Sequence, residues 1–259
     1  GGAGFHSQWD AQFVHPIREM VIQADDAGRS MEAVKTAITY RYEEDACNRV
    51  IYSESHDEVA NGKARVPQEI NNDDPTGWHA QKRSTLAAGL LFTAPGIPMI
   101  FQGQEFLQGE WFRDNVPLDW HMNEEYHGVA RMYRDLIHLR LNRDGVSRGL
   151  CGQNVAVTHV NDQQNLIAFQ RWDQHGDGDD VMVIANCGYE VKEGYRIGMP
   201  QSGEWKLRFN SDASIYSDDF QNTLSTHLTA TDEPQDGLPA SAEVTIAPYS
   251  VLIYSRDPS

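Results

Sequence analysis

The chain changes its hydrophobic pattern once, near residue 150, and that change constrains the fold more than any other feature. Upstream, stretches with helical spacing alternate with short apolar runs; downstream, strand-like runs follow one another with turn residues between. The first pattern predicts an α/β region, the second an all-β region. The boundary is drawn between residues 148 and 149, so that 1–148 and 149–259 are expected to be separate domains.

In the first region, residues 10–22 carry Phe13, Val14, Ile17, Met20 and Val21 at helical spacing. Pro16 predicts a break there, or a first-turn position. Residues 33–40 (AVKTAITY) fit either a strand or the end of a helix. Residues 49–53 form a short strand candidate. Residues 78–92 read as a helix with Thr76 as its N-cap, stopped by Pro95-Gly96. IPMIF, 97–101, is a second short strand. Residues 128–141 form an amphipathic helix, with Val129, Met132, Tyr133, Leu136 and Ile137 on one face. In the second region EWKLRF, 204–209, alternates strictly, which predicts Trp205, Leu207 and Phe209 on one side of a strand. NLIAFQRW, DDVMVIANC, EVTIAP and SVLIYS are further strands, and together they predict a small antiparallel sandwich.

Both short strands of the first region end in polar residues. VIYS runs into Glu54, His56, Asp57 and Glu58; IPMIF runs into Gln102, Gln104 and Glu105. Two readings fit each cluster: a strand ending in a solvated loop, or a strand delivering polar groups into a pocket. Parallel α/β folds bind ligands at the carboxyl ends of their strands, so both clusters fall where such folds keep their chemistry, but an acidic loop containing His is usually a solvated loop and the residues alone leave both readings open. A His-Asp pair suits a polyhydroxylated ligand, since imidazole donates a hydrogen bond and a carboxylate accepts two from vicinal hydroxyls. Trp9, Trp78, Trp111, Phe112 and Trp120 are available to stack on sugar faces, and Asp119 reads as a cap for the helical region after it.

Composition narrows the partners. A net charge of −17 repels nucleic acid and anionic membrane surfaces but not a neutral ligand. No apolar run approaches the ~20 residues of a membrane span, and the N-terminus shows no signal-peptide pattern. Three cysteines, Cys47, Cys151 and Cys187, are widely spaced and odd in number, as expected of reduced thiols in a cytoplasmic protein. Ten histidines occur without an HExxH pattern, so no metal site is expected. The oligomeric state is not readable.

SESHDEVANGK, APGIPMIFQGQEF, EWF…VPLDW and HGVARMYRDLIHLR together resemble the C-terminal half of an α-amylase-superfamily glycoside hydrolase. Within that superfamily they are most similar to 1,4-α-glucan branching enzymes, which carry the SHDEV..GK block. The opening GGAGFHSQWDAQFVHPIRE is similar to the segment just after the family's general acid. The resemblance implies that residues 1–148 are the C-terminal portion of a (β/α)8 barrel and 149–259 an all-β C-terminal domain. By position, Asp57 would be the transition-state-stabilising aspartate and His56 the neighbouring sugar-binding histidine. Glu105 would be the loop-organising acid of the GxE block, with Trp111, Phe112 and Lys63 in the glucan groove. Glu54 and Glu58 would be surroundings of Asp57, not its partners. The family's GxRxD nucleophile block and its strand-end acid are not in this sequence, so the chain is expected to be part of a larger enzyme and inactive alone. No cofactor or metal is implied, and the partner is an α-glucan. PGIPMIFQGQE is closer to the hydrolase version of its block, and 64–78 is a longer insert than common branching enzymes have. Branching, amylase-type hydrolysis and a non-catalytic glucan-binding module all stay open at this level.

Overall fold

The computed structural model describes residues 4–60, 62–176, 178–220 and 223–258. Residues 1–3 and Asn61, which fall in stretches quoted above, lie outside the described residues. The first region is built on three parallel strands in the order of the chain. β1 (Gln8–Trp9) leads into α1 (Ala11–Ile22) and α2 (Met31–Thr39). β2 (Arg49–Ile51) leads into α3 (Val66–Ile70) and α4 (Trp78–Thr93). β3 (Ile97–Pro98) leads into α5 (His121–Glu125) and α6 (His127–Arg140). β2 lies between the other two.

The structure corrects the sequence expectations at Pro16, Thr76 and the end of β3, and resolves the alternatives at residues 33–40. α1 runs through Pro16, which is neither a break nor a first-turn residue. Burial of Phe13 and Val14 before the proline and Ile17, Met20 and Val21 after it outweighs the lost backbone hydrogen bond. Residues 33–39 are helical, inside α2, which starts at the Ser30 cap. Thr76 does not cap α4; Gly77 stands at that position without a side-chain bond, and the Thr76 carbonyl accepts from Gln81. β3 stops at Pro98, where its partner β2 ends at Ile51, and the Phe101 N–H goes to the Gln104 side chain at 3.2 Å.

The second region contains β4 (Asn154–Asn161), β5 (Leu166–Trp172), β6 (Val181–Asn186), β7 (Lys192–Met199), β8 (Gly203–Asn210), β9 (Leu228–Ala230), β10 (Ala240–Ile246) and β11 (Ser250–Ser255). Six of them form one sheet in the order β4-β5-β6-β11-β8-β9, and β10 pairs with β7 in a second. One core lies between the two sheets and is centred on Trp205. The other face of the six-stranded sheet packs on the helices, so Phe169, Val183 and Val251 share a core with Phe13, Leu86 and Met132. Trp205, Leu207 and Phe209 do not share a side. The pairing with β11 shifts register between Ile253 and Tyr254, so Phe209 turns to the helix-side core while Trp205 stays between the sheets. A bulge adds one residue and thereby reverses the faces.

α4 is buried nearly all round because it is clasped between the helices α1, α3 and α6 and the antiparallel sheet at β11. Its Ala and Leu content follows from that position. A Cβ on Gly89 would come within 2.8 Å of the Val251 side chain. Buried polar groups also tie the two regions. Lys82 Nζ meets Asp212 at 2.6 Å, and the fully buried Arg171 guanidinium donates to the carbonyls of Thr93, Leu150 and Gly152.

Candidate active-site face

At the carboxyl ends of β1 and β2 the chain gathers four side chains, Trp9 from one stretch of sequence and Tyr52, His56 and Asp57 from another. The Trp9 ring packs 5.4 Å from Tyr52 and edge-on, 5.5 Å, to His56. His56 Nε2 lies 3.4 Å from Asp57 Oδ1. The pair is open to solvent, with the Asp57 side chain 73% and the His56 side chain 55% exposed. Burial and the negative charge of Glu58 and Asp57 push the Tyr52 hydroxyl up to about 12, so at neutral pH it is a donor. Glu58 lies beneath, 3.8 Å from Lys63 and 3.9 Å from His15.

Asp57 is lifted outward by a tight turn, in which the N–H groups of Glu58 and Val59 both donate to the Ser55 carbonyl. Glu54, three residues earlier, is fully buried and holds that loop from inside. Its Oε1 accepts from Val66 N–H at 2.6 Å, and its Oε2 meets Arg65 at 3.3 Å. Burial raises the Glu54 carboxyl above its ordinary value, against the pull of Arg65. Arg65 also donates to the Gln102 carbonyl at 2.8 Å and lies 4.7 Å over the Phe101 ring, joining the loop after β2 to the loop after β3. From the other side Arg18 donates to the carbonyls of Ala64 and Ser53 and pairs with Glu69. The sequence reading did not single out Tyr52, Arg65 or Arg18. Their partners lie far off in the chain, and no local pattern marks them.

The remaining candidates divide. Glu105 sits in a 3-10 turn (Gln104–Phe106), half-buried, with one carboxylate oxygen lacking a hydrogen-bond partner among the described residues. Its charge acts on Arg65 and on the buried Tyr133, so it belongs behind the loop clamp. Phe112 packs on Phe101 at 5.2 Å, and its N–H donates to the Val59 carbonyl at 2.5 Å, stitching the two loops. Lys63 and Trp111 are brought together along one cleft of about 470 Å³. Trp120 rests on Phe106, Trp78 lies near Tyr249 at the junction of the two regions, and Asp119 accepts from the His121 N–H at the start of α5. No group of three or more His, Cys, Asp or Glu side chains among the described residues is arranged to hold a metal ion.

An exposed carboxylate beside an imidazole can bind paired hydroxyls and can stabilise positive charge developing on a ring. One carboxylate alone cannot carry out a retaining displacement, which needs a nucleophile and an acid about 5 Å apart.

Residues 157–257 match the alpha amylase C-terminal all-beta domain. Along 260 residues the chain is 30% identical to a 1,4-alpha-glucan branching enzyme of Xanthomonas campestris, which covers 98% of this chain. The chain is thus similar to 1,4-α-glucan branching enzymes along nearly its whole length. A branching enzyme of Pseudomonas syringae is 29% identical over 262 residues and covers the same 98%. The chain spans 34% of the length of each of these two branching enzymes. Solved structures share the fold at low identity. An α-amylase from H. orenii superposes with a TM-score of 0.63 at 18% identity, over 98% of this chain and 49% of that one. A pullulanase of Anoxybacillus, solved with maltotetraose, gives 0.64 at 14%, over 97% and 35%.

Proposed function

We propose that residues 1–148 form the C-terminal portion of the catalytic (β/α)8 barrel of a 1,4-α-glucan branching enzyme, and residues 149–259 its all-β C-terminal domain. The observation that carries this reading is the His56–Asp57 pair at the carboxyl end of a parallel strand, in a chain similar to branching enzymes along nearly its whole length. Three successive parallel strands, each followed by helices, support the barrel. The substrate is an α-glucan, and free thiols at Cys47, Cys151 and Cys187 fit a cytoplasmic enzyme.

In this reading Asp57 accepts hydrogen bonds from the 2- and 3-hydroxyls of the sugar at the cleavage point. Its negative charge stabilises the oxocarbenium-like transition state. His56, held edge-on by Trp9, donates to the same sugar. Glu105 stiffens the loop from behind through Arg65, while Lys63, Trp111 and Phe112 border the glucan groove. The nucleophile and the general acid are residues outside this sequence. The glucosyl-enzyme intermediate is intercepted by a glucan 6-hydroxyl, which makes an α-1,6 branch.

The test is Asp57→Asn in the enzyme that carries this chain, followed by iodine staining of amylose. The expected loss is at least about 10²–10³-fold in rate, because the change removes charge aimed at the transition state. A loss of a few-fold would sink the assignment. The PGIPMIFQGQE block favours a second reading, hydrolysis, and accumulation of reducing ends during the same assay would establish it. The 259-residue chain alone is expected to turn over neither amylose nor glycogen, and measurable turnover would overturn the proposed division of the site.

A further inference from the structure

The segment 64–78, which the sequence marks as a long insert, does more than connect β2 to α4. Its helix α3 begins beside Arg65, whose backbone N–H donates to the Glu110 carbonyl at 2.8 Å. The Gln68 side chain lies between the two loops, donating to Asn72 Oδ1 at 2.8 Å and accepting from the Glu110 N–H at 3.4 Å. Between this segment and the loop after β3 runs the cleft of about 470 Å³, bordered by Lys63, Gln68, Asn72, Glu110 and Trp111. Trp111 is 47% exposed. The ring is braced: the Arg113 guanidinium lies 5.4 Å from its centroid, and Glu110 holds Arg113 at 3.2 Å.

The chemistry of this lining is specific. One cation and one anion balance each other, so the cleft favours neither an anionic nor a cationic ligand. The Gln68 N–H₂ is spent on the Asn72 carbonyl and Oδ1, at 3.2 and 2.8 Å, so the cleft offers the Asn72 N–H₂ as its amide donor and the remaining lone pair of Gln68 Oε1 as its acceptor. A braced, half-exposed indole supplies an apolar face. Flat polar groups beside an aromatic face suit a neutral polyhydroxylated ring. The cleft also adjoins the candidate site, for Lys63 and Asp57 belong to one loop, whose Glu58 lies 3.8 Å from Lys63.

We propose that the insert and the Trp111 loop form an outer subsite for an α-glucan chain, with Gln68 and Asn72 as its hydrogen-bonding residues and Trp111 as its stacking platform. The proposal rests on the glucan reading given above and adds residues to it. The subsite holds a glucose unit away from the bond being cleaved, so it selects for chain length and takes no part in the chemistry.

Calorimetric titration of the 259-residue chain with maltoheptaose tests this. The expected result is saturable binding that Gln68→Ala/Asn72→Ala weakens about tenfold, as the loss of one or two hydrogen bonds to ligand predicts. Trp111→Ala, at an exposed ring outside the cores, weakens it at least as much with an unchanged melting temperature, which keeps the test independent of any effect of the double variant on α3. Absence of binding by the parent chain, or equal binding by all three proteins, overturns the subsite. The two readings fail separately. If Asp57→Asn abolishes branching while the cleft binds nothing, only the subsite is lost. If the cleft binds glucan while Asp57→Asn keeps its rate, only the catalytic assignment is lost.

Discussion

Replacing Arg65 by Met should destabilise the 259-residue chain through Glu54. Arg65 and Glu54 are both buried, 3.3 Å apart, and removing one member of such a pair typically costs about 3–5 kcal/mol. The Val66 N–H remains on the Glu54 carboxylate, which places that contribution near the lower end. Two smaller losses accompany it: the bond to the Gln102 carbonyl, about 1 kcal/mol, and the stacking on Phe101, also about 1 kcal/mol. Met restores part of the buried stem, so a net loss of about 4 kcal/mol is expected, on the order of 10 °C in melting temperature for a chain of this size. Urea denaturation measures it. The pH dependence identifies the cause. Burial raises the folded-state Glu54 carboxyl above its unfolded value, so the penalty for ionising it is absent below that unfolded value and grows as pH rises through and beyond it. Without Arg65 the folded value rises further. The deficit of Arg65→Met should therefore be small near pH 4 and largest at pH 7. Glu54→Gln/Arg65→Met should recover at least about 2 kcal/mol and lose that pH dependence. A coupling below about 0.5 kcal/mol in this double-mutant cycle, or a deficit flat in pH, would refute the clamp.

Gly128→Ala should destabilise the chain by about 3 kcal/mol or more, because the added Cβ would lie 2.1 Å from the Tyr216 carbonyl oxygen; thermal unfolding reads it, and a neutral result would mean that α6 and the 213–216 turn are not packed as described. The carboxyl end is held by Asp257, whose carboxyl is drawn down to about 2 by Arg208 and Lys206. A depressed folded value stabilises above the unfolded value and is lost as pH falls toward 2. Carboxypeptidase trimming of the last residues should thus be unaffected between pH 5 and 8 and faster in Asp257→Asn; equal trimming rates would show that the tether is not formed.

The coarse division of the chain was legible because each part repeats one period over many residues. Helical spacing located α1, α4 and α6 within a residue or two, and apolar runs located β5, β6, β10 and β11. β7 escaped notice: the alternation of Tyr195, Ile197 and Met199 covers only the second half of KEGYRIGM, and the charged residues and Gly194 before it hide the strand. The β8 bulge is likewise decided by its partner, since strict alternation in EWKLRF describes an isolated strand and the extra residue enters only against β11. At the candidate site the limit is the same. Trp9 meets His56 across two strands, and Arg65 meets Gln102 across a helix, so neither contact leaves a local trace.

The stretch SESHDE shows where a sequence stops being able to rank its own carboxylates. Glu54 and Asp57 have the same charge and sit three residues apart at the end of one strand. Glu54 is still in the extended chain leaving β2, where the helix layer covers it; a buried carboxylate there persists only with Arg65 and the Val66 N–H bound to it. Those ligands use both of its oxygens and leave it no capacity for substrate. Asp57 follows the turn closed by the Ser55 carbonyl, which carries it out of the layer and leaves its carboxylate open beside His56. The turn therefore assigns the roles, and the clamp keeps the turn in place. A change at Arg65 should thus reach Asp57 without touching it, raising the mobility of 55–63 before it unfolds the domain. Hydrogen exchange on Arg65→Met is expected to show faster exchange at Glu58 and Val59 N–H than at the β2 amides. Uniform acceleration across all of them would place the clamp in general stability alone.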